Sequence, residues 1–178
     1  KKDGDKLIPA FKNAKYWSNE AHWNWATAPN EREKASFLKE NIIPIQASGQ
    51  LSFIDAPATH FTSNGLLNSV SFTNNMNIRF VQGHTEKMML PQINYKGHTI
   101  VYMADLLPSV GHLPLPYVMS YDMFPLTTLT EKKSFLQEAF EKQYVLFFEH
   151  DAVHECCTVH ETEKGIRANE TFLLSEWI

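Results

Sequence analysis

Three residues in this 178-residue chain stand where chemistry could be done. His84 follows Phe80-Val81 closely, Asp105 ends the run Ile100 to Ala104, and His150 comes just after Tyr144 to Phe148. Two imidazoles and a carboxylate are a normal donor set for zinc or iron. If the apolar runs are strands of one sheet, the three side chains project from its rim, where loops converge and ligands bind in layered α/β folds. Rim residues that merely hydrogen-bond their own loops would give the same pattern, so type and spacing alone leave both readings open.

The elements that must position them can be read from periodicity. Asn77 to Val81 alternates as a strand does and ends at Gly83-His84-Thr85. Lys87 to Asn94 and His98 to Ala104 form a hairpin around Tyr95-Lys96-Gly97, the second arm apolar enough to be buried on both faces. Residues 106–126, with Pro108, Pro114, Pro116 and Pro125, form a structured loop. Thr130 is expected to cap a helix with an apolar stripe of Phe135, Leu136, Ala139 and Phe140, Glu131-Lys132-Lys133 being its solvated face. Tyr144 to Phe148 is a second buried strand, and Cys157 to Val159 pairs with Thr171 to Leu174 around Lys164-Gly165. Upstream, residues 16–27 read as a helix capped by Ser18 or Asn19, a short helix follows Pro29-Asn30, and Leu51 to Ile54 is a strand.

Local sequence sharpens the reading of the three rim residues. Phe80-Val81-Gln82-Gly83-His84-Thr85, Val101-Tyr102-Met103-Ala104-Asp105-Leu106-Leu107-Pro108 and Phe147-Phe148-Glu149-His150-Asp151, in that order, resemble the metallo-β-lactamase-fold hydrolases. The spacings fit, 21 residues from His84 to Asp105 and 45 from Asp105 to His150. Tyr16-Trp17 through Arg32, Asn41 to Leu51, and Gly111-His112-Leu113 through Tyr121-Asp122 resemble the branch with quorum-quenching lactonases and methyl-parathion-hydrolase-like enzymes.

The resemblance implies an α/β (α+β) fold, the αββα metallo-β-lactamase-type sandwich, with two divalent metal ions, most often zinc. His84 would ligate one, His150 the other, and Asp105 would bridge both as the catalytic carboxylate. His112, Tyr121, Asp122 and Asp151 would contact substrate or orient ligands through outer-shell bonds. The implied function is hydrolysis of a small ester-like bond in a lactone or another carboxylic or phosphoric ester, by a metal-bound hydroxide. The family's upstream His-x-His-x-Asp-His motif, which supplies four further ligands, has no counterpart here. Residues 1–178 therefore read as the C-terminal part of a single domain, whose N-terminal part is a partner missing from this chain. The start at Lys1 rather than Met suggests a processed or truncated polypeptide. Two alternatives have other chemistry: a non-catalytic scaffold or binding module on the same fold, and a mononuclear iron redox member.

Composition excludes several classes. Twelve Phe, six Tyr and four Trp are too apolar for a disordered chain. No stretch approaches the roughly 20 apolar residues of a spanning helix. Sixteen basic against twenty acidic residues, the basic ones scattered, argue against a nucleic-acid partner. Adjacent Cys156 and Cys157 cannot readily bridge each other, which together with the absence of a signal-peptide pattern suggests a cytoplasmic location. With His154 and His160 they lack the spacing of a zinc clip and read as strand residues. The segment holding Trp17, Trp23 and Trp25 reads as core, or as the interface of a homodimer.

Overall fold

Gly4, at φ +59°, turns the chain between β1 (Lys2–Asp3) and β2 (Lys6–Leu7) in the computed structural model, which describes residues 1–177. These strands belong to the first of two units, residues 1–56. Here β3 (Tyr16–Ser18) runs parallel to β4 (Leu51–Phe53), and α1 (Glu20–Thr27) and α2 (Lys39–Ala47) lie between them in the chain. The helix expected over 16–27 begins only at Glu20, because the Asn19 side chain accepts from the His22 N–H at 2.9 Å and so caps it there. The expected helix after Pro29-Asn30 is a run of turns instead. The Asn30 side-chain oxygen accepts from the Arg32 and Glu33 N–H groups, and the Glu33 carboxylate accepts from Trp25 Nε1 and Asn30 Nδ2, both at 2.6 Å. Trp23 is buried.

The second unit, from residue 57, holds β5 (Ser69–Thr73), β6 (Met76–Val81), β7 (Met88–Tyr95), β8 (His98–Tyr102), β9 (Val145–Phe147), β10 (Cys156–Thr162) and β11 (Gly165–Phe172). They form one sheet in the order β11-β10-β9-β8-β7-β6-β5. Neighbours are antiparallel except β8 and β9, which are parallel. Parallel neighbours need a crossover, and α3 (Pro125–Glu141) supplies it. A short helix, α4 (Leu174–Trp177), closes the described chain.

Strand pleating sorts the core between two faces. Val101, Leu146 and Cys157 pack in one cluster with Phe135, Leu136 and Ala139 of α3, while their neighbours Ile100, Val145 and Cys156 point the other way, toward Phe147, Phe172 and Trp177. Both cysteines are free and buried. Burial, first of all, pushes the Cys156 thiol up to about 11 and Cys157 up to about 12, so both stay neutral thiols and pack as apolar residues.

Helix α3 departs from expectation twice. It starts at Pro125, whose missing N–H costs nothing in a first turn, and Thr130 lies inside it with its hydroxyl bonded back to the Leu126 carbonyl at 3.1 Å. Glu131 and Lys132, expected on a solvated face, are both fully buried, and only Lys133 of that triplet faces solvent. Lys132 Nζ donates to the carbonyls of Pro114, Leu115 and Tyr117 at 2.9, 3.2 and 2.6 Å. Three acceptors satisfy all three ammonium protons and tie the proline-rich loop to the helix. Nearer its C-terminal end, Glu138 meets Arg79 of β6 in a buried two-point ion pair, 2.7 Å on each arm.

No helix among the described residues is long and apolar enough to cross a membrane.

Candidate metal centre

Strand direction brings the three rim residues together. Because β6–β7 and β7–β8 are antiparallel, β6 and β8 run the same way, and β9 runs parallel to β8. Their C-terminal ends share one edge of the sheet. His84, Asp105 and His150 each lie three residues beyond the end of β6, β8 and β9 respectively. Ala104, at φ +41°, turns the chain out of β8 just before Asp105, a left-handed conformation that a residue with a Cβ adopts at a cost of about 1 kcal/mol.

The side chains converge on the Asp105 carboxylate, one oxygen to each imidazole. His84 Nε2 lies 3.4 Å from Oδ2, and His150 Nε2 lies 3.3 Å from Oδ1. These separations exceed a good N–H···O bond. Two zinc ligands at about 2.1 Å, set at a tetrahedral angle, lie ~3.4 Å from each other. The pairs are thus spaced as two donors of one cation, once on each side of Asp105. Among the described residues no three His, Cys, Asp or Glu side chains surround a single point, so each cation would take two donors from this chain.

Asp122 orients the first imidazole. Its Oδ1 lies 3.0 Å from His84 Nδ1, and a carboxylate only accepts, so Nδ1 donates the hydrogen and Nε2 is the ring nitrogen that faces Asp105. Backbone pairing fixes the alignment: Met123 N–H donates to the His84 carbonyl at 3.1 Å and Phe124 N–H to the Gly83 carbonyl at 2.8 Å. Asp122 Oδ2 is buried with no hydrogen-bond partner among the described residues. This carboxylate–imidazole pair is the arrangement that raises ligand basicity in metal sites.

The other predicted residues have other neighbours. His112 accepts or donates at Nδ1 with Ser109 Oγ, 2.8 Å away, and burial followed by the charge of Lys132 lowers its pKa. Asp151 works as a turn staple: it accepts from the N–H groups of Val153 and His154 at 2.9 Å and of Val110 at 3.0 Å. Burial opposes its ionisation, but those three N–H groups outweigh it and hold the carboxyl below its usual range. The His150 N–H donates to the Pro108 carbonyl at 3.2 Å, so the loop after β8 and the loop after β9 are joined twice. Tyr121 is 73% exposed.

One residue absent from the sequence-derived set is Tyr102. Burial, first of all, then the neighbouring Glu149 carboxylate and the Asp105 charge raise its pKa. Gly83 is a second. A Cβ there would overlap the backbone of Thr128 in α3. Gly83→Ala is expected to lose about 2 kcal/mol or more of stability in urea unfolding, and a loss below about 0.5 kcal/mol would contradict this packing.

No protein-family model and no curated protein sequence matches the chain. Solved structures do. A probable metal-dependent hydrolase from Staphylococcus aureus superposes with a TM-score of 0.74 at 21% identity, over 92% of this chain and 53% of that one. AidC, a dizinc quorum-quenching lactonase solved with a product, gives 0.63 at 21% identity over 90% and 56%. AbOPH, a hydrolase in the β-lactamase superfamily, gives 0.69 at 14% identity over 90% and 56%. The chain spans about half the length of the solved structures it matches, and the fold they share with it, a mixed α/β architecture around the large sheet, is that of the metallo-β-lactamases.

Proposed function

We propose that this chain carries part of a dinuclear, zinc-dependent hydrolase centre acting on small ester-like substrates, lactones first and other carboxylic or phosphoric esters next. The observation that carries it is the pair of Nε2–oxygen separations, 3.4 and 3.3 Å, one to each oxygen of Asp105. His84 and Asp105 would hold one cation, His150 and Asp105 the other. Bound there, two divalent cations would supply Lewis acidity, polarising a carbonyl or phosphoryl oxygen and acidifying a water. The protein's own part is positional. Asp122 holds the His84 ring by Nδ1 with Nε2 turned toward Asp105, the Asp151 staple keeps the His150 loop against Val110, and the half-exposed His150 leaves the site open to a small molecule.

In this reading residues 1–178 are the C-terminal part of one domain, and an upstream His-x-His-x-Asp-His segment completes each coordination shell. The neighbours support it: a probable metal-dependent hydrolase and a dizinc lactonase share the fold. The test has two steps. The residues encoded ahead of Lys1 should contain the motif. The polypeptide including them should hold about two zinc ions and open N-acyl lactones. One iron per chain would favour the redox alternative, and no bound metal would favour the scaffold.

A further inference from the structure

Glu131 is a buried carboxylate that none of these proposed steps uses. Both of its oxygens point at the turn that carries His84. Oε1 accepts from the Gln82 N–H at 2.7 Å and Oε2 from the Gly83 N–H at 3.0 Å. Those two amides immediately precede His84 and follow the end of β6, where the sheet ladder no longer offers them acceptors. The turn is also pressed on α3 from the other side of the peptide: the Gly83 carbonyl accepts from Phe124, and Gly83 has no room for a Cβ against Thr128. Thr128 and Glu131 are one helical turn apart, so a single stretch of α3 holds the turn by contact and by hydrogen bonds.

Burying a carboxylate is costly: burial, first of all, pushes Glu131 up to about 7, against the pull of the two N–H groups. Its imidazole neighbour, His60, keeps Nδ1 4.0 Å from Oε1, too far to hydrogen-bond. A buried carboxyl held this way, next in the chain to an equally buried Lys132, does little for packing that an apolar residue would not do better. What it does that no apolar residue can is fix two consecutive amides in direction.

We propose that Glu131 is the positioning residue of the centre, setting the place of His84 through the Gln82 and Gly83 backbone amides rather than by touching the ligand. This rests on His84 being a metal donor, but the geometric part stands without it.

The test uses Glu131→Gln, which keeps the shape but turns an NH₂ toward one of the two N–H donors. In the folded variant, hydrogen exchange at Gln82 and Gly83 should speed up more than tenfold while amides at the far end of α3 keep wild-type rates. Its zinc dissociation constant should rise about tenfold, as for lost outer-shell contacts. A merely structural role would lower the melting temperature and leave both readouts at wild-type values once the variant is folded, and that result overturns the proposal. If Glu131→Gln does not fold, the wild-type protein decides: scalar couplings across the hydrogen bonds from Gln82 and Gly83 nitrogens to the Glu131 carboxyl carbon should be present, and their absence overturns it. A wild-type protein that binds no zinc would defeat the metal reading alone, since exchange and couplings are read without metal.

Discussion

Asp105→Ala is expected to abolish metal retention and hydrolysis together while leaving the fold intact. Asp105 faces both imidazoles, with Oδ2 3.4 Å from His84 and Oδ1 3.3 Å from His150, so one substitution removes a donor from each proposed cation. Loss of an outer-shell partner costs 10- to 100-fold in metal affinity, so loss of a shared direct donor should cost more than about 100-fold. The side chain is 25% exposed and takes part in no core cluster, so stability should change by less than about 1 kcal/mol. Zinc per chain after dialysis, lactone turnover and a thermal melt together check this. Bound metal and turnover that both survive would mean that the assignment of the centre is wrong.

The second large effect is on stability. Glu138→Ala should destabilise the protein by roughly 3–5 kcal/mol, because it leaves the buried Arg79 guanidinium without its counter-charge. Glu138 also accepts from Tyr144 Oη at 2.9 Å and Lys142 Nζ at 2.8 Å. Arg79→Met with Glu138→Leu should recover part of the loss, because an apolar pair of similar volume needs no desolvated charges. The ion pair has a pH signature. Burial would raise the Glu138 carboxyl, but the hydrogen bonds from Arg79 and Lys142 outweigh it and bring it down to about 2, from 4.5. Its ionisation therefore stabilises the folded state fully above pH 4.5, by roughly 3 kcal/mol, and the contribution is lost as pH falls toward about 2. Glu131 has the opposite sign: raised to about 7, it favours the folded state most when protonated, and that share is lost as pH rises from 4.5 through 7. Urea unfolding from pH 2 to 8 should show an acid limb that flattens in Glu138→Gln. An acid limb unchanged in that variant would show that Glu138 is not its source.

What was legible and what was not divides along a physical line. The strands β6, β8 and β9 were legible because alternation or an unbroken apolar run is a local property of the chain. The three residues beyond them were legible because their types and spacing need no neighbour to be noticed. The sequence could not show that β8 and β9 are parallel neighbours, nor that β6 shares their direction through β7; pairing across tens of residues decided it, and with it the convergence on Asp105. Asp122 was a candidate by resemblance, and its bond to His84 depends on Met123 and Phe124 pairing with the 83–84 turn.

Glu131 and Lys132 mark the boundary most clearly. By sequence they are two charged residues in Glu-Lys-Lys, an ordinary solvated face. Yet stepping back four residues from Phe135 and Leu136 lands on both, so the apolar stripe already placed them on the buried side. Residue type argued for water and position for the core. Position prevailed because acceptors and donors were waiting: two amides at the His84 turn for the carboxylate, three loop carbonyls for the ammonium. By itself the sequence marked three residues of a type that can donate to a cation and determined which runs would be strands, both set by local chemistry. Only the tertiary structure decided which of them meet and which buried charges hold them there, because burying a charge is tolerable only where distant backbone groups complete its hydrogen bonds.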